Sequence, residues 1–248
     1  MPPESFFEPG EGRPTRVREL FSKIARRYDF INDVQSFGLH RYWKRRVIKL
    51  AVVQPGARAL DLCCGTGDLA LELARRGARV VGLDFTGPML EIAQQRSKQS
   101  IPDRDPGKSK PGKLTLVRAD AQRLPFAENS FDIVTVGYGL RNLASWEHGL
   151  RGMLRVAAPG ARIVALEFGK PANPGWRMAY FAYLRLIVPL FGLIFCGDAK
   201  AYAYILESLR HYPAQQEVAV KMRELGYHDV QVKEFLGGVM SINFGVKK

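Results

Sequence analysis

Acidic residues follow three successive predicted strands and surround one glycine-rich loop. Asp61 ends the first predicted strand, immediately before the loop at 65–67. Asp84 ends the second predicted strand, and Asp120 follows the third. Because the carboxyl ends of parallel strands meet at one edge of a sheet, we expect these side chains to surround a single ligand-binding crevice.

The glycine loop identifies the kind of ligand through its charge. With Ala70 it satisfies the G-x-G-x-x-G/A dinucleotide pattern, which is weakly specific by itself. A pyrophosphate would lie at the N-terminus of the following helix, where Asp61 and Asp68 would repel it by roughly 1 kcal/mol each. The same carboxylates favour a cofactor that carries an ammonium and a sulfonium group. The loop therefore predicts S-adenosylmethionine, with NAD(P) as the alternative.

The other two acids have their own predicted contacts with this cofactor. Asp84 can accept hydrogen bonds from both ribose hydroxyls, its alternative role being the N-cap of the next helix. Asp120 can reach the adenine amino group while Ala121 leaves room for the ring, and the alternative for Asp120 is an ordinary turn acid. The residues predicted to bind the cofactor are Asp61, Gly65, Thr66, Gly67, Asp84, Asp120 and Ala121.

The segment after the fourth predicted strand is expected to face the transferred methyl group. Gly137 and Gly139 allow close backbone approach, and Arg141 places a fixed positive charge beside the substrate. We predict Arg141 and Asn142 as catalytic residues, the alternative for Arg141 being a salt bridge to a surface acid. The chain has no Asp/Asn-Pro-Pro-Tyr or Pro-Cys motif, which argues against methylation of nucleobase amino groups or cytosine C5.

Composition limits the class of protein and its partners. The chain has 248 residues, 46% hydrophobic and 25% charged, as expected of a globular protein. Its 37 Lys and Arg against 24 Asp and Glu give a net charge of +13, which favours anionic partners.

Three cysteines form neither a disulfide framework nor a metal motif, so we expect the protein to reside in the reducing cytoplasm. The four histidines lack metal-ligand spacing, so we expect no metal and treat the histidines as structural or surface residues.

Short apolar runs alternate with amphipathic helices along most of the chain, which predicts right-handed βαβ units. The fold class is therefore α/β, a doubly wound, mostly parallel sheet with an antiparallel C-terminal hairpin. We expect a flexible tail at 1–16, N-terminal helices over 17–53, a polar loop at 100–113, and one domain spanning 17–248. The predicted strands are 59–63, 79–83, 114–117, 131–136, 162–166, 229–235 and 239–246, and the predicted helices of the alternating region are 68–76, 89–98 and 146–157.

An aromatic, apolar segment at 175–204 interrupts this alternation. Its uninterrupted apolar run, 186–196, is shorter than the roughly 20 residues that span a bilayer, so a transmembrane helix is not expected. A helix that lies on a membrane or lines an apolar pocket remains open.

Over 17–248 the chain resembles the menaquinone/ubiquinone biosynthesis C-methyltransferases. Gly-Leu-Arg-Asn at 139–142 and the Tyr/Glu-Ser block at 202–208 are the most specific matches. The remaining matching motifs lie at 24–29 with 32–33, 40–44, 65–68, 120–121 with 124–126, 166–168 and Pro213. The family usually has Ala-Gly at 63–64, Phe at 138, often Ser at 137, and His at 243, where this chain has Cys63, Cys64, Tyr138, Gly137 and Asn243.

This resemblance implies a seven-stranded class I S-adenosylmethionine-dependent methyltransferase that methylates a ring carbon of a prenylated quinol, with demethylmenaquinol favoured over a benzoquinol. A permanently protonated Arg141 is not a base, but it can stabilise the phenolate electrostatically. A water held by Arg141 and Asn142 would accept the proton, and no metal is needed.

A prenyl tail requires an apolar trough, which segment 175–204 can supply; the alternative is a core helix that covers the sheet. The predicted trough residues are Trp176, Tyr180, Phe181, Leu184, Leu186, Ile187, Leu190, Phe191 and Phe195. Together with the net positive charge, the trough predicts a cytoplasmic enzyme that touches the anionic inner face of a membrane. The sequence leaves open whether the protein forms a homodimer.

The rival interpretations are a methyltransferase acting on RNA or another small metabolite, and an inactive cofactor-binding subunit. Nucleic acid is not expected, because the aromatic residues form one apolar block instead of alternating with basic ones.

Overall fold

The computed structural model describes residues 13–100, 112–196 and 200–248. The helices are α1 (Arg13–Ile24), α2 (Tyr28–Gln35), α3 (Leu39–Ala51), α4 (Asp68–Arg75), α5 (Gly87–Ser100), α6 (Trp146–Val156), α7 (Pro174–Cys196), α8 (Lys200–His211) and α9 (Gln215–Glu224). The strands are β1 (Arg58–Leu62), β2 (Arg79–Asp84), β3 (Leu114–Arg118), β4 (Phe131–Gly137), β5 (Ala157–Phe168), β6 (Tyr227–Phe235) and β7 (Met240–Lys247).

The seven strands form one sheet in the order β3-β2-β1-β4-β5-β7-β6, which confirms the predicted fold class. Strands β1 to β5 pair in parallel, and β7 pairs antiparallel with both β5 and β6. The hairpin between β6 and β7 turns at Leu236–Gly238, where Gly237 and Gly238 adopt the positive φ angles that glycine tolerates best. The first βα loops therefore lie at the centre of the sheet, where β1 and β4 are neighbours.

Alternating strand residues build one apolar core on each face of the sheet. Leu60 and Val134 pack on the face covered by α6 and α9. Ala59 and Ile133 pack on the opposite face, against α3 and α4. The α3 helix can do this because Trp43, Val47 and Ala51 recur every four residues on one side.

A third core joins α1, α2, α7 and α8, which we call the cap helices. It contains Leu20 of α1, Ile31 of α2, Leu184 of α7 and Leu209 of α8. The Tyr204 hydroxyl of α8 accepts a hydrogen bond from Arg141, just beyond β4. The cap helices therefore cover the carboxyl ends of the strands.

Several boundaries differ from the prediction. The α1 helix begins at Arg13, so the tail predicted over 1–16 overlaps it, and residues 1–12 lie outside the described residues. Most of the predicted polar loop, residues 101–111, also lies outside them. The α5 helix begins at Gly87, because Pro88 is well tolerated in a first helical turn. The α9 helix was not predicted as a separate element.

Most of the apolar segment forms one helix, α7, which continues through Pro189 for 23 residues, and the end of the segment belongs to α8. Within the described residues, its stretch Pro174–Ile194 is long and apolar enough to cross a membrane by length and composition alone. The argument from the short apolar run at 186–196 therefore does not by itself exclude a membrane-spanning helix, and the expectation that there is none stays a prediction. One side of α7, including Tyr180, Leu184 and Val188, is nevertheless buried against the domain.

Candidate active site

Two cavities meet at the carboxyl ends of the strands. The first, which we call the strand-end cavity, has a volume of about 410 Å³, and Gly65, Asp84, Asp120, Ala121 and Asn142 are among its lining residues. The second, the apolar cavity, has a volume of about 310 Å³ and lies beneath the cap helices. Five of the predicted site residues are thus brought together around the strand-end cavity.

Tyr28 and Tyr138 line both cavities. Sequence reasoning gave neither of them a role, although both stand inside motifs that carried the resemblance or its departures. A molecule in one cavity can therefore contact a molecule in the other beside these two rings. This junction is where a transfer reaction between two ligands can occur.

Asp84 already organises the glycine loop before any ligand binds. Its Oδ2 accepts a hydrogen bond from Gly65 N at 2.9 Å, and its Oδ1 accepts one from Thr86 N at 2.8 Å. A carboxylate has about four acceptor positions, so Asp84 can accept from a ligand hydroxyl while it holds the loop. Asp84 is thus a turn acid that also lines the strand-end cavity.

Asp120 forms a turn and also lines the strand-end cavity. Its Oδ1 accepts from Gln122 N at 2.8 Å, as an ordinary turn acid does. The carboxylate is nevertheless exposed and lines the strand-end cavity beside the buried Ala121. It can therefore meet a ligand amino group while it holds the turn.

Asp61 and Thr66 line a small recess beneath the glycine loop instead of the strand-end cavity itself. Asp61 is buried, and its Oδ1 accepts a hydrogen bond from Thr135 Oγ1 at 2.7 Å. Burial raises the pKa of Asp61 to about 7, although the Thr135 hydrogen bond works in the opposite direction. The carboxyl therefore changes charge near neutral pH, and a bound cation favours its ionised form.

Asp61→Asn is expected to unfold at a temperature roughly 5 to 10 °C above that of the unmodified protein at pH 8, in the absence of ligand. The folded chain holds this proton more tightly than the unfolded chain, so the contribution of Asp61 to stability is lost as pH rises from about 4 to about 7. Thermal unfolding monitored from pH 5 to pH 8 measures this gap, which should shrink as the pH falls. A gap that widens toward pH 5 would contradict the assignment.

A network of ion pairs removes Asp68 from the acids that were predicted to repel a pyrophosphate and favour a cationic cofactor. Asp68 pairs with Lys44 and Arg96, each at 2.5 Å. Although burial alone would raise the pKa of Asp68, these two cations hold it well below its usual range. Asp68 is therefore ionised but neutralised by its partners, and only Asp61, Asp84 and Asp120 are left to favour a cation.

The same network ties the glycine loop to the cap helices. The Thr66 hydroxyl donates to Asp29 of α2 at 2.8 Å, and Arg96 of α5 donates to Asp29 and to the Thr66 carbonyl, both at 3.0 Å. Thr66 therefore positions the loop through its side chain. Gly67 lines neither large cavity; it has a φ of 87°, and a Cβ there would meet the Ala93 Cβ at 3.1 Å. Its role is to let the loop pass close to α5.

Arg141 is buried and lines the apolar cavity. Its Nη1 donates to Glu167 Oε1 at 2.6 Å and to the Tyr138 carbonyl at 2.7 Å. Its guanidinium lies 4.7 Å from the centre of the Phe168 ring. The salt bridge considered for Arg141 thus exists, but its partner is buried and holds the cation in place.

Glu167 is a candidate functional residue that sequence reasoning missed. It also accepts hydrogen bonds from the backbone N–H groups of Arg141 and Phe168, at 3.3 and 3.0 Å. Its position near the end of β5 repeats the pattern of acids at the ends of the earlier strands, a signal that could have identified it.

Asn142 donates from Nδ2 to the Tyr138 carbonyl at 3.0 Å and lines the strand-end cavity, whereas Arg141 lines the apolar one. The two side chains thus face different cavities, which does not favour the predicted water held by both. His40 is buried and lines the apolar cavity, and His148 is exposed and lines the strand-end cavity. Their assignment as structural or surface residues stays a prediction.

The apolar cavity uses only part of the predicted trough. Trp176, Tyr180 and Leu184 line it, whereas Leu186, Ile187 and Leu190 are exposed. Phe181 and Phe191 are half-buried but do not line it, and the side chain of Phe195 lies outside the described residues. In the part of the chain that the structure describes, no group of three His, Cys, Asp or Glu side chains could hold a metal ion.

Comparison with solved structures identifies the fold class. The chain is similar to an S-adenosylmethionine-dependent methyltransferase from Thermotoga maritima, with a TM-score of 0.64, 16% identity and coverage of 94% of this chain and 100% of that one. It is also similar to one from Aquifex aeolicus, with a TM-score of 0.55, 14% identity and coverage of 83% and 89%. At these identities the likeness shows the fold alone.

Sequence relatives are more specific. The chain is 39% identical over 241 residues to a demethylmenaquinone methyltransferase from Desulfitobacterium hafniense, covering 96% of this chain and 92% of the relative. It is 37% identical to one from Bacillus cereus, covering 96% and 98%. A model of the ubiE/COQ5 methyltransferase family matches residues 11–247. The chain therefore belongs to the ubiE/COQ5 methyltransferase family, and its methyl donor is S-adenosylmethionine.

Proposed function

We propose that the chain transfers a methyl group from S-adenosylmethionine to a ring carbon of a prenylated quinol, converting demethylmenaquinol to menaquinol. The observation that carries this proposal is the junction at Tyr28 and Tyr138 between an acid-lined cavity and an apolar one. The names of the sequence relatives support the choice of quinol.

The two cavities suit the two reactants. In the strand-end cavity, Asp84 and Asp120 offer acceptors for ribose hydroxyls and an adenine amino group. The apolar cavity is walled by aromatic and aliphatic side chains of α2, α3, α7 and α8, which suits a fused aromatic ring and an isoprenoid chain. The donor brings its own activated methyl group, so the main contribution of the protein is to align carbon, methyl and sulfur.

Arg141 supplies the electrostatic contribution. A quinol ring carbon becomes strongly nucleophilic when the neighbouring hydroxyl is ionised, and an ordinary phenol has a pKa near 10. A fixed cation in the wall of an apolar cavity favours the phenolate and the charge that develops on it. Glu167 and the Tyr138 carbonyl hold this cation in place. Glu167 does not line the cavity and so positions Arg141 without touching substrate.

Incubation with labelled S-adenosylmethionine tests the proposal. A short-tailed demethylmenaquinol is compared with a 6-methoxy benzoquinol and with bulk tRNA, each at equal methyl-acceptor concentration. We expect label mainly in the naphthoquinol, with the benzoquinol as a weaker acceptor that would extend the role to ubiquinone synthesis. Label that appears only in tRNA would support the RNA methyltransferase instead and overturn the proposal.

We also propose a cytoplasmic location with transient contact at the inner face of the membrane. Leu186, Leu190 and Leu193 form an exposed apolar row on α7, and Arg177 and Arg185 are exposed on the same helix. An isoprenoid quinol resides in the bilayer, and a net charge of +13 favours an anionic leaflet. These features support a protein that reaches its substrate at the membrane surface.

A further inference from the structure

Four large apolar side chains of the apolar cavity are exposed to solvent, and we call them the rim. They come from three separate parts of the chain: the turn between α2 and α3 together with the first residue of α3, the start of α7, and the turn between β6 and β7. The rim residues, with their exposed fractions, are Phe37 (80%), Leu39 (37%), Trp176 (47%) and Leu236 (52%). Because the deeper lining residues Tyr180, Leu184 and Val188 are buried, the rim marks the mouth of the cavity.

Direct contacts make the rim continuous. Trp176 Nε1 donates a hydrogen bond to the Leu236 carbonyl at 2.8 Å, which joins α7 to the hairpin turn. The ring of Phe235, next to Leu236, lies 5.9 Å from the ring of Tyr42 on α3. The Tyr183 hydroxyl donates to the Gln35 carbonyl at 2.8 Å, which joins α7 to the end of α2. The mouth is thus a built opening whose sides are tied together.

Two rim residues combine a strained backbone conformation with an apolar side chain that is exposed to water. Phe37 and Leu236 both have a φ of 50°, in the left-handed region that bulky residues rarely adopt. Both are also more than half exposed, so apolar surface is held in water at a position where glycine or asparagine would fit the backbone better. Strain of this kind persists where the surrounding structure imposes it, and it is typical of functional sites.

Charge around the rim indicates what covers it. Arg45 is exposed on α3, on the same helix as Leu39 and Tyr42, and the exposed Arg177 follows Trp176 directly. Arg41 is also exposed on α3, but it pairs with Asp33 and adds little to this charge. Tryptophan and tyrosine side chains favour the boundary between lipid headgroups and acyl chains, and arginine favours anionic headgroups. Apolar tips flanked by basic residues match the surface of an anionic bilayer.

We propose that the rim inserts into an anionic lipid leaflet, so that the apolar cavity opens directly into the bilayer and the prenyl tail enters without crossing water. This inference rests on the proposed function for the identity of the tail, but the membrane contact itself does not depend on it. The tail would pass between Phe37 and Trp176 and continue along the inner side of α7.

The test uses the full-length protein and sedimentation with sucrose-loaded vesicles of phosphatidylcholine, with and without about one-third phosphatidylglycerol. The double variant Phe37→Asn/Leu236→Asn replaces both strained tips with a residue that tolerates positive φ. We expect unmodified protein to sediment with the anionic vesicles, the variant to bind them at least tenfold more weakly, and its unfolding temperature to be unchanged or higher. Val220→Gln, at an exposed apolar position on α9, is the matched control and should bind as the unmodified protein does.

Two further readouts locate the contact. Brominated lipid should quench the fluorescence of the unmodified protein more than that of Trp176→Phe, because Trp43 is buried and Trp146 lies on α6. Methylation of a long-tailed quinol in vesicles should fall at least fivefold more in the double variant than methylation of a short-tailed quinol in solution.

The inference is overturned if the unmodified protein does not bind anionic vesicles, if the double variant binds them equally well, or if light scattering shows that the rim joins two copies. Absence of quinol methylation in both formats would instead refute the proposed function.

Discussion

Arg141→Lys is expected to lower kcat about 100- to 1,000-fold while the affinity for the methyl donor changes less than about threefold. Arg141 donates hydrogen bonds from Nη1 to Glu167 and to the Tyr138 carbonyl, and its side chain still lines the apolar cavity. A lysine ammonium can pair with Glu167, but it lacks the planar fork that would serve both the protein and a phenolate. Because donor-binding residues line the other cavity, donor affinity should be largely preserved.

Steady-state kinetics at saturating quinol, together with calorimetric titration of S-adenosylhomocysteine, separate these two effects. Arg155→Lys is the matched control, because the Arg155 guanidinium is likewise held by hydrogen bonds, here to the backbone carbonyls of Phe126 and Leu124, but lines neither cavity. Its turnover should stay within about twofold of the unmodified protein. Equal losses of turnover and donor affinity in Arg141→Lys would contradict the electrostatic role.

Asp84→Ala is expected to show the reverse pattern, with donor affinity reduced about 100-fold or more and kcat at saturating donor reduced less than about tenfold. The carboxylate accepts from Gly65 N and Thr86 N, so its removal leaves two backbone donors without their acceptor and loosens the glycine loop. It also removes the acceptors proposed for the ribose. The substitution does not alter Arg141 or the apolar cavity, so methyl transfer should continue once the donor site is saturated.

Calorimetry with S-adenosylhomocysteine and donor titrations of the rate measure the two losses. Asp132→Ala provides the control, since Asp132 accepts from a backbone N–H, that of Arg58, near the opposite end of β1. Its donor affinity should not change. A variant at position 84 that binds donor normally but turns over slowly would reverse the roles assigned to the two residues.

The parallel sheet could be predicted because its strands are short apolar runs separated by turn residues, and this pattern depends on local sequence. The position of β7 between β5 and β6 could not be predicted, because it depends on long-range pairing such as that of Ala165 with Asn243. The α9 helix was missed because its buried face, residues 218–222, is brief and follows a long apolar segment.

The site residues also separate into those that local sequence could predict and those that depend on long-range contacts. Gly65, Asp84 and Asp120 were predictable because each occupies a fixed place after a strand. The neutralisation of Asp68 was not predictable, since Lys44 lies 24 residues before it and Arg96 28 residues after it. The pairing of Arg141 with Glu167 likewise joins the ends of two neighbouring strands, and sequence spacing does not reveal whether a partner acid is buried or on the surface.

The α7 helix shows how two properties of this enzyme are linked. Tyr180, Leu184 and Val188 shape the chamber for the tail, while Leu186, Leu190 and Leu193 on the other side of the same rod are exposed. A rotation or shift of α7 that suits a longer isoprenoid would also turn its outer leucines relative to the rest of the protein. Adaptation to quinones of different chain length should therefore require compensating substitutions on both sides of this single helix, and should rarely proceed by enlarging the chamber alone.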